Sequence, residues 1–232
     1  MKCSDYVVSR LEEHGFTDAF CVTGGAVSGI MDALRDSKIR TVHNHHEQSC
    51  AMAAEGYARA SNRPALVVVT NGPGVTNLVT GVAGAFQDSI PMLVVSGQVS
   101  TAQQLSSVSV SLRQLGVQEV ETRPLAESIS VHFRRITSVT ELPDALEEAL
   151  IALEEGRLGP VWIEIPLDVQ NSPVPANWDR RNASVSRVTT VYDLKIRECT
   201  ALLSQSSRPL IVAGNGVHLS RAESQLLSLI HI

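Results

Sequence analysis

The sequence predicts an α/β fold, a parallel sheet flanked by helices on both faces, followed by the start of a second α/β domain. Three observations support that expectation. Short apolar runs alternate with helical stretches over the first 170 residues. The runs at 65–70 and 91–96 are almost continuously apolar, as strands buried on both faces are. Glycines or polar corners follow most of the runs, where strands turn into helices.

Residues 6–14 read as a helix with Val7, Val8 and Leu11 on one face, and 19–22 as a strand. Gly24-Gly25 opens a helix carrying Ile30, Met31 and Leu34. Residues 39–42 form the next strand, and an alanine-rich helix spans 45–60. After the strand at 65–70, Gly72-Pro73-Gly74 breaks the chain before a helix toward Phe86. The strand at 91–96 leads through a Ser/Gln-rich connection to a strong helix at 141–155 and a strand at 161–166. Repeated β-α units of this length make a parallel sheet.

Composition changes near residue 170, where Pro173, Pro175, Asn177 and Asn182 enter. The expected organisation is a first domain at 1–170, a linker at 171–190 and the beginning of a further domain at 191–232. There, 192–203 reads as a helix and 209–214 as a strand entering the turn Gly214-Asn215-Gly216. One helix, one strand and one more helix do not close a core, so the chain reads as truncated.

At 232 residues, with 44% hydrophobic and 19% charged, the chain has enough apolar material for a buried core. Aromatics are 4%, so that core is Val, Ile, Leu and Ala. A net charge of −5 argues against nucleic-acid and anionic-membrane partners. No apolar run is long enough to span a membrane, and no signal region follows Met1. Cys3, Cys21, Cys50 and Cys199 are scattered without a Cys-x-x-Cys pair, which reads as reduced thiols in a cytoplasmic protein.

Chemistry concentrates at the corner 43–48, His-Asn-His-His-Glu-Gln. Glu47 sits where a strand ends and a helix begins, the edge of the sheet at which ligands bind. It admits two readings: a carboxylate holding a cofactor ring nitrogen, or the second member of a capping box begun by Asn44. His43, His45 and His46 do not make a metal site, since adjacent histidines point apart and zinc needs three or four convergent ligands. The turn 71–77 can cradle an anion or let backbone approach a neighbour closely. It lacks the third glycine of the dinucleotide fingerprint, because Asn77 stands there, and Pro73 removes a donor.

The order of these pieces says more than any one alone. Gly24-Gly25, His46-Glu47-Gln48, Gly72-Pro73-Gly74-Val75-Thr76-Asn77, Asp88-Ser89-Ile90-Pro91 and Ser96-Gly97-Gln98 succeed one another. That succession resembles the N-terminal pyrimidine-binding domain of the thiamine-diphosphate enzymes, specifically the acetolactate synthase-like group, over about residues 1–170. The resemblance implies that Glu47 hydrogen-bonds N1′ of the cofactor's aminopyrimidine and shares a proton with it. It implies that Gly72, Pro73, Gly74 and Asn77 lie beside the ring, with Gly24 and Gly25 near the entrance. Gln118 would face the substrate, although Val117 precedes it where the group usually has Phe. Gln87 is a second departure near the substrate-facing loops. The implied reaction is decarboxylation of a small 2-keto acid and addition of the remainder to a second carbonyl.

In that family the diphosphate and magnesium are held by a Gly-Asp-Gly motif in a separate domain, and nothing here matches it. The resemblance therefore implies half an active site, completed across the interface of a homodimer or tetramer and inactive alone. It leaves FAD open in the family's central domain. The alternatives are another thiamine-diphosphate 2-keto acid decarboxylase, a non-catalytic partner subunit, or a nucleotide-binding module.

Overall fold

The computed structural model describes residues 1–175 and 193–230, which fall into two compact units that we describe one at a time.

The first unit begins with α1 (Cys3–Glu13) and β1 (Asp18–Cys21), then α2 (Ser28–Arg35), reached through a single 3₁₀ turn at Gly25–Val27. β2 (Arg40–His43), α3 (Glu47–Ser61), β3 (Ala65–Val69), α4 (Pro73–Gln87) and β4 (Met92–Gln98) follow. The chain continues with α5 (Arg123–Glu127), β5 (His132–Arg135), α6 (Leu142–Ala152), β6 (Pro160–Pro166) and α7 (Leu167–Asn171).

All six strands pair in parallel, in the order β2-β1-β3-β4-β6-β5. Every residue of β3, β4 and β6 is buried, so the apolar runs of the sequence are the central strands. On one face, Ala19, Cys21, Leu66, Val68, Leu93, Val95, Val161 and Ile163 join one core with Val7, Leu11, Ile30, Leu34, Leu146 and Leu150 of α1, α2 and α6. On the other face α3 and α4 lie against each other, and Gly81 sits so close to Ala51 that a methyl group there would overlap it.

β5 has no counterpart in the expected elements. His-Phe-Arg-Arg carries three polar residues in four, and such composition suits an edge strand that must not pair further. The segment 171–175, expected to begin a linker, is tied to the N-terminus. Ser172 accepts from the Cys3 amide at 2.9 Å, and Val174 donates to Met1 at 3.1 Å. The rest of the expected linker, 176–190, lies outside the described residues.

The second unit contains α8 (Asp193–Gln205), α9 (Asn215–Leu219) and α10 (Glu223–Ile230). The expected strand at 209–214 is absent among the described residues. Leu210 and Val212 stand in solvent, while Ile211 and Ala213 help line an apolar hollow with Leu203, Leu226 and Leu229. An apolar run becomes a strand only when another strand completes its hydrogen bonds, and none is present among the described residues of this unit.

Candidate functional site

In a parallel sheet the ligand crevice opens where successive connections leave toward opposite faces. Here that point lies between β1 and β3. The chain leaves β1 toward α2 on one face and leaves β3 toward α4 on the other. Gly24-Gly25 follows β1, and the turn 70–74 follows β3.

Thr70 holds the two loops together. Its hydroxyl accepts from the Ala26 amide at 3.3 Å. A methyl group on Gly24 would overlap its side chain, and one on Gly74 would lie 2.9 Å from its Cγ2. The two glycines are thus small because Thr70 lies between their loops. Gly25 has open space around it.

Gly72 has φ +58, a conformation that L side chains rarely adopt, and a methyl group there would overlap the Gln118 carbonyl oxygen. Pro73 then occupies the first position of α4, where its missing N–H costs nothing. The Gly74 amide donates to Asn71 at 3.1 Å, and the Val75 and Thr76 amides donate to Gly72 at 3.0 Å. With these donors used internally, the turn serves close backbone approach and not an anion cradle.

Glu47 is the first residue of α3, and the cap is His46, whose Nδ1 accepts from the Gln48 amide at 3.2 Å. The capping-box reading with Asn44 is therefore excluded. Glu47 is 9% exposed, and its carboxylate points across to α4, where Asn77 Nδ2 donates to Oε2 at 3.0 Å. Oε1 has no hydrogen bond from a described residue, and it lies 3.8 Å from where a Cβ on Gly74 would stand. Glu47 is thus a buried residue with one carboxylate oxygen left as an acceptor that no described residue uses, beside a residue without a side chain. The tight packing of Gly81 on Ala51 brings α3 and α4 close enough for that arrangement.

Gln118 lies against the same turn through its backbone, and its side chain is exposed. Gln87 is the last residue of α4, about 20 Å along the helix from Pro73 at 1.5 Å per residue, and it is not brought to this site. His43 Nδ1 lies 3.5 Å from the Cys21 thiol, whose pKa burial pushes up to about 11. Thr70 and Asn71 went unassigned in the sequence, although the first polar residues after a buried strand in a parallel sheet stand at its ligand edge.

A second polar group occupies the other end of that edge. Glu164 of β6 is fully buried and paired with Arg135 of β5, which also donates to Glu121 at 2.8 and 3.0 Å. Burial pushes the Glu164 carboxyl above the usual range, and Arg135 opposes that shift.

A six-stranded parallel sheet with an open carboxylate and a glycine turn at its switch point defines a cofactor-binding α/β domain. Residues 1–123 match the family described as thiamine pyrophosphate enzyme, N-terminal TPP binding domain, and the chain belongs to that family. It is 36% identical over 230 residues to acetolactate synthase 2, chloroplastic, of Nicotiana tabacum, covering 96% of this chain and 33% of that protein. It is 36% identical over 236 residues to the probable acetolactate synthase large subunit of Methanocaldococcus jannaschii, covering 99% and 38%. Against acetolactate synthase isozyme 1 large subunit of Escherichia coli the identity is 33% over 215 residues, covering 92% and 37%. The chain thus spans between 33% and 38% of the length of these relatives. No helix among the described residues is long and apolar enough to cross a membrane.

Proposed function

We propose that this chain supplies the pyrimidine-binding half of a thiamine-diphosphate-dependent 2-keto acid decarboxylase or carboligase of the acetolactate synthase type. One observation carries the reading: Glu47 is buried, held by Asn77 through one oxygen, and open at the other beside Gly74. These residues fit an aminopyrimidine, which offers a ring nitrogen that shares a proton with a carboxyl group. When bound, thiamine diphosphate supplies the carbanion chemistry and the electron sink.

The chain's own contribution is placement and proton handling. Glu47 holds the proton at the ring nitrogen through Oε1, and Asn77 fixes the carboxylate's rotation through Oε2. Gly74 leaves room for the ring, and Thr70 keeps the Gly24-Gly25 loop against the turn. Gln118 stands at the substrate side. Diphosphate and magnesium are assigned to a separate domain of the holoenzyme, contributed across a subunit interface. Residues 1–170 form the pyrimidine-binding domain, 171–190 its linker, and 191–232 the start of a central domain. Val117 before Gln118 and the long connection after β4 favour a substrate pocket different from that of the acetolactate synthases.

Replacing Glu47 with Gln in the holoenzyme tests this. The expected outcome is a loss of about 10²-fold or more in 2-keto acid consumption with unchanged melting. Retained activity would remove Glu47 from the chemistry.

A further inference from the structure

We propose that Asn71 is the positioning residue for Gln118, fixing through the 117–118 backbone where that side chain stands relative to Glu47. The inference rests on the reading of Gln118 as substrate-facing.

Gln118 cannot be positioned by side-chain packing. It is exposed, and Val117 beside it is 79% exposed. Its backbone is nevertheless held at φ +56, which is uncommon for a residue with a side chain and persists only where the surroundings enforce it. The turn 116–119, closed by the Glu119 amide donating to the Gly116 carbonyl at 3.3 Å, sets that conformation locally, and Asn71 fixes the turn in place. Its Nδ2 donates to the Val117 carbonyl at 2.9 Å and reaches the Gln118 carbonyl at 3.4 Å. Carbonyl oxygens only accept, so the amide must face them with its nitrogen. The Thr70 hydroxyl donates to Oδ1 at 3.3 Å and fixes the same orientation. Asn71 is 4% exposed, so water does not compete for these bonds.

The rest of the loop is braced elsewhere. Glu119 accepts from the Leu105, Leu115 and Gly116 amides at 2.6, 2.9 and 3.2 Å, which folds the loop on itself. Gln98 ties it to the sheet at Val120, at 3.3 Å. Among the described residues, Asn71, helped by the bare Cα of Gly72, joins the Gln118 peptide to the turn that starts α4. That helix carries Asn77, which holds Glu47. Gln118 and Glu47 are therefore placed by one short run of chain, residues 71–77.

The test compares Asn71→Ala, Asn71→Asp, Gln118→Ala and the double substitution Asn71→Ala/Gln118→Ala in the holoenzyme. Hydrogen exchange, kinetics and thiamine diphosphate half-saturation are read for each. Asn71→Ala should speed exchange in 115–121 while β3 and β4 stay protected. It should raise KM for the 2-keto acid about tenfold, with cofactor half-saturation changed by less than about twofold. Asn71→Asp keeps the shape but turns an oxygen toward two carbonyls, and should do at least as much damage. Gln118→Ala should raise KM similarly, and the double substitution should add little further. Unchanged exchange at 115–121, or a wild-type KM in Asn71→Asp, would overturn the proposal. A loosened loop with a silent Gln118→Ala would instead overturn the substrate-facing reading of Gln118 while the backbone tie stood.

Discussion

Two glutamates are buried at the carboxyl edge of this sheet, and their surroundings differ. Glu164 meets a guanidinium: Arg135 pairs with it across neighbouring strands and is itself held by Glu121. Glu47 meets a neutral amide on one oxygen and no described residue on the other. A buried charge is costly unless paired, and Arg135 supplies the opposite charge at Oε1 of Glu164, while Oε2 is buried without a hydrogen-bond partner. Glu47 has no cation beside it among the described residues, and its unpartnered oxygen faces Gly74, which has no side chain. The comparison separates a carboxylate paired with a cation inside the fold from one that the proposed function assigns to a ligand.

The largest effect should come from breaking the buried ion pair. Arg135→Ala leaves Glu164 buried without its cation and should lower unfolding free energy by about 3–5 kcal/mol in urea titrations. Glu47→Gln should leave the same titration nearly unchanged while removing activity, and the opposite pattern at either site would dissolve the distinction. Gly72→Ala comes next. It combines a positive φ with overlap on the Gln118 carbonyl, and should cost roughly 2 kcal/mol or more. Gly25→Ala, with open space around it, should stay within about 0.5 kcal/mol in the same assay.

Acid sensitivity should show the smallest effect. Burial holds His132 below its ordinary value of 6.5. Its neutral form is thus favoured in the folded state, and stability is lost as pH falls below that value. Burial raises Asp18 and Glu121, but the Thr17 hydroxyl and Arg40 outweigh it at Asp18, and Arg135 outweighs it at Glu121, so both end below the usual range. Their contribution is present above the unfolded carboxyl values and is lost as pH falls further, through the lowered folded values. Melting temperature should therefore decline in two stages on acidification, and His132→Gln should flatten the first.

The legible parts of the fold were those with a strong local pattern. The runs at 65–70 and 91–96 could only be central strands, because both their faces are apolar. β5 escaped because an edge strand carries charge and shows no period. The run at 209–214 read as a strand because composition reports burial but not the presence of a partner. At the site, Glu47 and the glycine turn were visible as a polar corner and a break. Thr70 and Asn71 were not, since nothing in a threonine or an asparagine announces what it will touch forty-six residues away.

The sequence by itself determined the parallel α/β class, the family resemblance, and the placing of Glu47 and Gly72-Pro73-Gly74 at strand ends. These follow from hydrophobic periodicity and backbone preference, which act over a few residues. The tertiary structure alone decided that His46, not Asn44, caps α3, and that Glu47 faces Asn77 with one oxygen open. It also decided that Asn71 holds the Gln118 peptide and that Gln87 stands at the far end of α4. Those facts depend on how close two helices and a loop approach, and that distance is set by packing between segments far apart in the chain.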